Sequence, residues 1–217
     1  MADDITFDRI RTGLADCMAH QVRSVTDWHF GEPVYEDPDE NPALEGIPGL
    51  RELAARLHWV NFRMWHLEDR ARRRDLDASI IAECKYAYDR LNQVRNALTE
   101  RVDECLVAML QPLLPAGARD CTNTESVGCA LGRLSVEALR VYHLKEQTRR
   151  RDADSSHVDT CTDMCAEVNA QRESLGKAVL GLIDQYEAGT LKPSVHRFFK
   201  MYNDPDLNPE LYKNKQE

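Results

Sequence analysis

Apolar residues recur at helical spacing along most of the chain. Phe7, Ile10, Leu14, Cys17, Val25 and Trp28 approximate one stripe, which predicts a first helix over 6–28 with Thr6 as its N-cap. Residues 29–49 lose the period, carry four prolines, three glycines and many acids, and read as a long loop. A second helix is predicted over 50–73. It is apolar almost all round, with Leu50, Leu53, Leu57, Val60, Met64 and Leu67 on one side and Trp59, Phe62 and Trp65 on the others, so it belongs at the centre of a bundle. A third helix over 78–110 is stopped by Pro112 and Pro115. In the linker 111–124 and just beyond it, Thr122 and Glu125 have capping-box spacing. Fourth and fifth helices follow over 125–150 and 155–188, with Gly189 as a stop. The tail, 190–217, is irregular but rich in aromatics, which predicts that it packs on the helices.

The pattern repeats. Residues 63–75, RMWHLEDRARRRD, return at 140–152 as RVYHLKEQTRRRD, an offset of 77 that holds without a gap. Between 56 and 102 it gives 16 identities in 47 positions, where ordinary composition gives roughly three. A duplicated helical hairpin is the physical reading. Short connections make neighbouring helices antiparallel. The predicted fold is therefore one all-α domain: a four-helix bundle with a pseudo-two-fold axis, built from hairpins 50–110 and 125–188, plus an N-terminal helix and a packed tail.

Composition narrows the function only a little. The 217 residues are 30% charged, with a formal net charge of −9, which argues against nucleic-acid binding through bulk charge. No apolar run is long enough to span a bilayer, and the first ten residues lack a secretory pattern, so a cytoplasmic location is expected. The seven cysteines form no CxxC pair and read as reduced, mostly buried thiols. The triple-arginine turns at 72–74 and 149–151 belong at one end of the bundle. They either compensate helix dipoles or form a basic rim for a phosphate-bearing partner.

The candidate chemistry sits in a polar layer. The heptad seams of the third and fifth helices are apolar except for Arg95 and Arg172, at the same place in each repeat. A guanidinium in such a seam needs a carboxylate or a bound anion. Asn92 and Asn169 lie three residues earlier, while His66 with Asp69 and His143 with Glu146 continue apolar stripes of the second and fourth helices. Asn96, Glu100 and Asp103 extend the strip in the first copy only. Three readings stand. The layer is a structural network fixing helix register; or it is a pocket for a small anionic or polar ligand; or it is a di-metal site with His66, Asp69, His143 and Glu146 as ligands. The last is disfavoured by the order His-x-x-acid and by arginines facing the dications. No nucleophile elbow, phosphate-cradling loop or dinucleotide fingerprint is present, so any catalytic role would rest on this layer.

WHLEDRARR (65–73), LNQVRNALTERVDE (91–104), RLSVEALRVYHLKEQ (133–147) and above all FKMYNDPDLNPELY (199–212) resemble the bacterial domain-of-unknown-function family 4254. The resemblance implies that Trp65, His66, Asp69, Asn92, Arg95, Tyr142, His143 and the segment Tyr202-Asn203-Asp204-Pro205 are signature positions. It also implies an all-helical bacterial protein, with some members encoded beside glycosyltransferases for surface polysaccharides. This chain has Asn96-Ala97 where the family pattern leads one to expect Asn-Asp. The leading expectation is a ligand-binding protein. The alternative is a non-catalytic scaffold that meets a protein partner through its tail, or pairs with a second copy as a homodimer.

Overall fold

The computed structural model describes residues 5–35, 44–121, 123–199, 201 and 204–212. Thr6, in extended conformation, accepts the Arg9 amide and opens α1 (Phe7–Phe30), which buries Ile10, Leu14, Cys17, Val25 and Trp28. The helix runs two residues past its predicted end. Its last residues, His29 and Phe30, were expected in the loop. α2 (Gly46–Ala71) starts four residues before the predicted point and buries apolar side chains around its circumference. α3 (Ala78–Leu110) has the predicted bounds and ends in a 3-10 turn, Gln111–Leu113. α4 (Val127–Thr148) is capped by Ser126, which accepts the Cys129 amide at 3.2 Å, and Thr122 lies outside the described residues. α5 (Ser155–Glu187) is capped by Asp154 and closed by Gly189 at φ +66°. A single turn, α6 (Pro209–Tyr212), follows in the tail. No strand occurs among the described residues, and no helix is long and apolar enough to cross a membrane.

The duplication is visible as a two-fold axis between α2 and α4. Residues 77 apart meet across it: His58 Nδ1 lies 2.7 Å from Ser135 Oγ, and the rings of His66 and His143 are 5.5 Å apart. These contacts ascend together, so α2 and α4 are parallel. α3 and α5 return antiparallel on opposite sides, and both arginine turns fall at one end.

α1 breaks the symmetry. α3 packs against both α2 and α4, but the corresponding place for α5 beside α2 is taken by α1, which touches α2, α4 and α5. It runs parallel to α2, with Gly13 against Ile47 and Trp28 against His58 and Phe62. It runs antiparallel to α5, where Arg11 bonds Asp184 at 2.9 Å and also meets Glu187. Gln21 is fully buried and donates to the Leu131 carbonyl at 3.0 Å. The N-terminal helix is thus an integral core element.

The tail docks by its backbone more than by its aromatics. Leu191 is buried. The His196 amide donates to Asp103 at 3.2 Å, and the Phe198 amide donates to Glu100 at 2.8 Å. Phe199 is 89% exposed. The seven cysteines are free, five of them buried, and burial pushes the Cys17 thiol up to about 12 and the Cys105 thiol up to about 11.

Candidate functional site

The expected polar layer is not one layer. α1 divides its members into a groove, a histidine cluster and a set of structural contacts. Arg172 belongs to the last group. It pairs with no carboxylate: Nη2 donates to the Met18 carbonyl of α1 at 2.6 Å and reaches Gln21 Oε1 at 3.5 Å, while the buried Nε has no partner among the described residues. Burial lowers its pKa. Asn169 donates back to the Cys165 carbonyl at 2.7 Å within α5. Asn92 is half-buried, and its Oδ1 has no hydrogen-bond partner among the described residues.

Glu100 and Asp103 are tail anchors. Burial alone would raise the Glu100 carboxyl, but the Phe198 amide and Arg197 outweigh it and hold the group below its usual range. Asp103 is 2% exposed and accepts the Gly128 amide at 2.7 Å as well as that of His196. Burial dominates there and raises its pKa.

Arg95, the repeat counterpart of Arg172, faces a different environment. Two adjoining hollows of about 490 and 610 Å³ run between α2, α3 and α4, and both are lined by Asn61, Arg95, Val136 and Arg140. Asn96 and Phe198 line one, Trp65, Asp69 and Tyr88 the other. Other arginines around the groove are neutralised locally: Arg140 by Glu137 at 3.0 Å, Arg72 by Glu68 at 2.6 Å, and Arg133 by Glu125. Among the described residues the Arg95 guanidinium has no hydrogen bond or ion pair. The groove therefore contains one unsatisfied planar cation, suited to a carboxylate or phosphate.

On the other side of the α2/α4 pair, His66 and His143 meet His29, with ring centroids 5.1 Å (His29 to His66), 5.2 Å (His29 to His143) and 5.5 Å (His66 to His143) apart. Of the two His-x-x-acid pairs, His143 and Glu146 form a hydrogen bond, with Glu146 2.7 Å from Nδ1, while Asp69 stays 3.7 Å from His66 Nδ1, outside hydrogen-bond reach. Trp65 stacks on His143 and Tyr142 on His29. Burial, then the neighbouring His29 and His143, holds the His66 imidazole below its ordinary value. His29 was missed because it was assigned to the loop. Its one sequence signal is its place four residues after Val25, whose carbonyl it meets at 2.6 Å.

Three of the six rim arginines, Arg72, Arg73 and Arg150, are paired with acids among the described residues. Arg73 forks onto Asp75 and Arg150 onto Asp152, at equivalent places in the two repeats. Tyr202 and Asn203 of the tail motif lie outside the described residues.

No curated protein and no solved structure matches the chain. One family model, described as protein of unknown function (DUF4254), matches residues 51–195. That span covers both hairpins, the groove and two of the three histidines, and by it the chain belongs to the DUF4254 family.

Proposed function

We propose that the protein binds a small anionic or polar ligand in the groove between α2, α3 and α4, anchored by Arg95. The observation that supports this is the contrast between the repeats. Arg172 donates to the Met18 carbonyl of α1, whereas Arg95 faces the groove without an internal partner among the described residues. A guanidinium held there presents a donor fork to a carboxylate or phosphate, and Asn96 adds an amide. Trp65 and Tyr88 offer flat apolar faces in the same groove. That combination fits a phosphorylated or acidic carbohydrate, a ligand class that agrees with the glycosyltransferase association carried by the family resemblance and with a cytoplasmic protein. Thermal unfolding with inorganic phosphate and a panel of sugar phosphates tests it. At least one anion should raise the melting temperature of the natural chain and leave Arg95→Met unmoved. An equal response of both proteins, or none from the natural chain, overturns the reading.

The partner reading rests on a separate observation. Phe199, Met201, Leu207 and Leu211 of the tail are exposed apolar side chains. Removing residues 199–217 takes away all four and spares Leu191 and the docking amides. A native mass spectrum in which the truncated chain keeps the same companion, or the same second copy, as the full chain counts against a tail interface.

A further inference from the structure

His29, His66 and His143 come from three different helices, and one ring nitrogen of each lies within 4.8 Å of the other two. The outward nitrogens of His29 and His143 are occupied, and that of His66 has a carboxylate nearby. The Nδ1 atom of His29 lies 2.6 Å from the Val25 carbonyl, that of His143 2.7 Å from the Glu146 carboxylate, and that of His66 3.7 Å from Asp69. At His29 and His143 the acceptor at Nδ1 keeps the proton of a neutral imidazole there and leaves a lone pair on Nε2, and His66 is free to take the same tautomer. All three Nε2 atoms are buried from solvent and have no hydrogen-bond partner among the described residues. Three converging lone pairs repel one another and leave their hydrogen-bonding capacity unused within the protein. A cation placed among them satisfies all three at once.

The surroundings are those of a built site. A carboxylate on the far nitrogen of a ligating histidine orients the ring and raises its basicity. Glu146 stands in that position on His143, and its repeat counterpart Asp69 lies 3.7 Å from His66 Nδ1, one small rotation from the same bond. The rings are also held by packing: Trp65 stacks on His143 at 5.2 Å, Tyr142 on His29 at 4.1 Å, and the Phe62 edge meets both His29 and His66. Three neutral imidazoles select zinc, copper, iron or nickel, whereas magnesium and calcium prefer oxygen. Tetrahedral coordination at roughly 2.0–2.1 Å per bond puts ligand nitrogens about 3.4 Å apart, so the rings need to close by little more than an ångström.

We propose that His29, His66 and His143 form a three-imidazole site for one divalent transition-metal ion of the zinc class, with the fourth position open to water or an exogenous ligand. Asp69 and Glu146 are positioning residues here, in contrast to the di-metal scheme in which they are ligands. The site uses neither Arg95 nor Asn96, so its fate is separable from that of the groove.

The test is a titration of the chelator-stripped full chain with cobalt(II), followed by visible absorption, and with zinc(II), followed by calorimetry. The expected result is one ion per chain and a tetrahedral cobalt spectrum without a thiolate charge-transfer band. Helical content of each variant is first checked by circular dichroism. His29→Gln and the double variant His66→Gln/His143→Gln should lose the spectrum. Glu146→Gln, which leaves all three ligands in place, should weaken binding about 10- to 100-fold. Arg95→Met should bind as the natural chain does. Absence of binding by the natural chain, a thiolate band, or full-strength binding by a folded His29→Gln overturns the proposal. If the histidine variants do not fold, Glu146→Gln decides it: unchanged affinity overturns the site.

Discussion

His58 makes the placement of α1 measurable. It is fully buried between Trp28 of α1, with ring centroids 4.8 Å apart, and Ser135 of α4. Burial, reinforced by nearby His20, pushes its imidazole from 6.5 down to about 3. In the unfolded chain the same group titrates near 6.5. Between those values the unfolded state binds the extra proton, so stability falls as the solution is acidified, by up to about 1.4 kcal/mol per pH unit. By pH 4.5 the contribution lies roughly 2.7 kcal/mol below its neutral plateau, two full units of that slope. The assay is urea unfolding from pH 7.5 to 4.5, with chelator present, for the natural chain and His58→Gln. The glutamine keeps a polar group beside Ser135 and removes the titration. The variant starts less stable, but the gap should narrow by about 2.7 kcal/mol at pH 4.5. His20 and His66, whose pKa values are also lowered, act in both proteins and cancel. Parallel curves would mean that His58 titrates normally and that α1 does not cover it.

Gly128→Ala should lower stability by about 1–3 kcal/mol in thermal unfolding, because its Cβ would stand 2.6 Å from the Thr99 carbonyl oxygen and 2.8 Å from Asp103, neither free to move. A variant as stable as the natural chain would deny the close approach of α3 and α4. Asp103→Ala leaves the Gly128 and His196 amides without their acceptor, at about 1–3 kcal/mol for each that stays buried, and limited proteolysis should cut residues 191–199 faster. Arg95→Met, which loses no bond to a described residue, should change the stability of the ligand-free protein by less than about 0.5 kcal/mol, while Arg172→Met removes the side-chain bond to the Met18 carbonyl and should cost about 0.5–1.5 kcal/mol. Equal effects of the two substitutions would remove the distinction between the repeats.

The long helices were legible because their signals are redundant. α3 has an apolar seam over its whole length, and Pro112 closes it, so its bounds follow from the sequence. The start of α2 was less legible because Gly46, Pro48 and Gly49 resemble loop punctuation. Proline in a first turn forfeits no helical hydrogen bond, and Gly49 is required there because a Cβ would meet the Leu44 carbonyl carbon at 2.4 Å. The site was half legible. Each His-x-x-acid pair shares a helix face as the spacing dictates, but both acids are exposed, and only Glu146 reaches its histidine at hydrogen-bond distance. The assignment of Arg95 and Arg172 to one layer assumed that both halves of the duplication have the same neighbours. α1 has no copy, and nothing in the 77-residue offset says which groove it fills.

That unpaired helix accounts for the functional asymmetry of the molecule. A two-fold axis between parallel helices can place equivalent side chains face to face, as it does His66 with His143. It can therefore supply two imidazoles, but an odd third must come from outside the repeat, and His29 on α1 is that third. The same helix accepts a bond from Arg172 on one side of the axis and leaves Arg95 facing the open groove on the other. A single insertion thus turns two equal arginines into one structural and one available group, and two equal histidines into two corners of a three-cornered site. Trp65 lines the groove and stacks on His143, and Asp69 lines the same groove and pairs with His66. A ligand seated against Arg95 would therefore lie beside the aromatic and the carboxylate that hold the histidines in place.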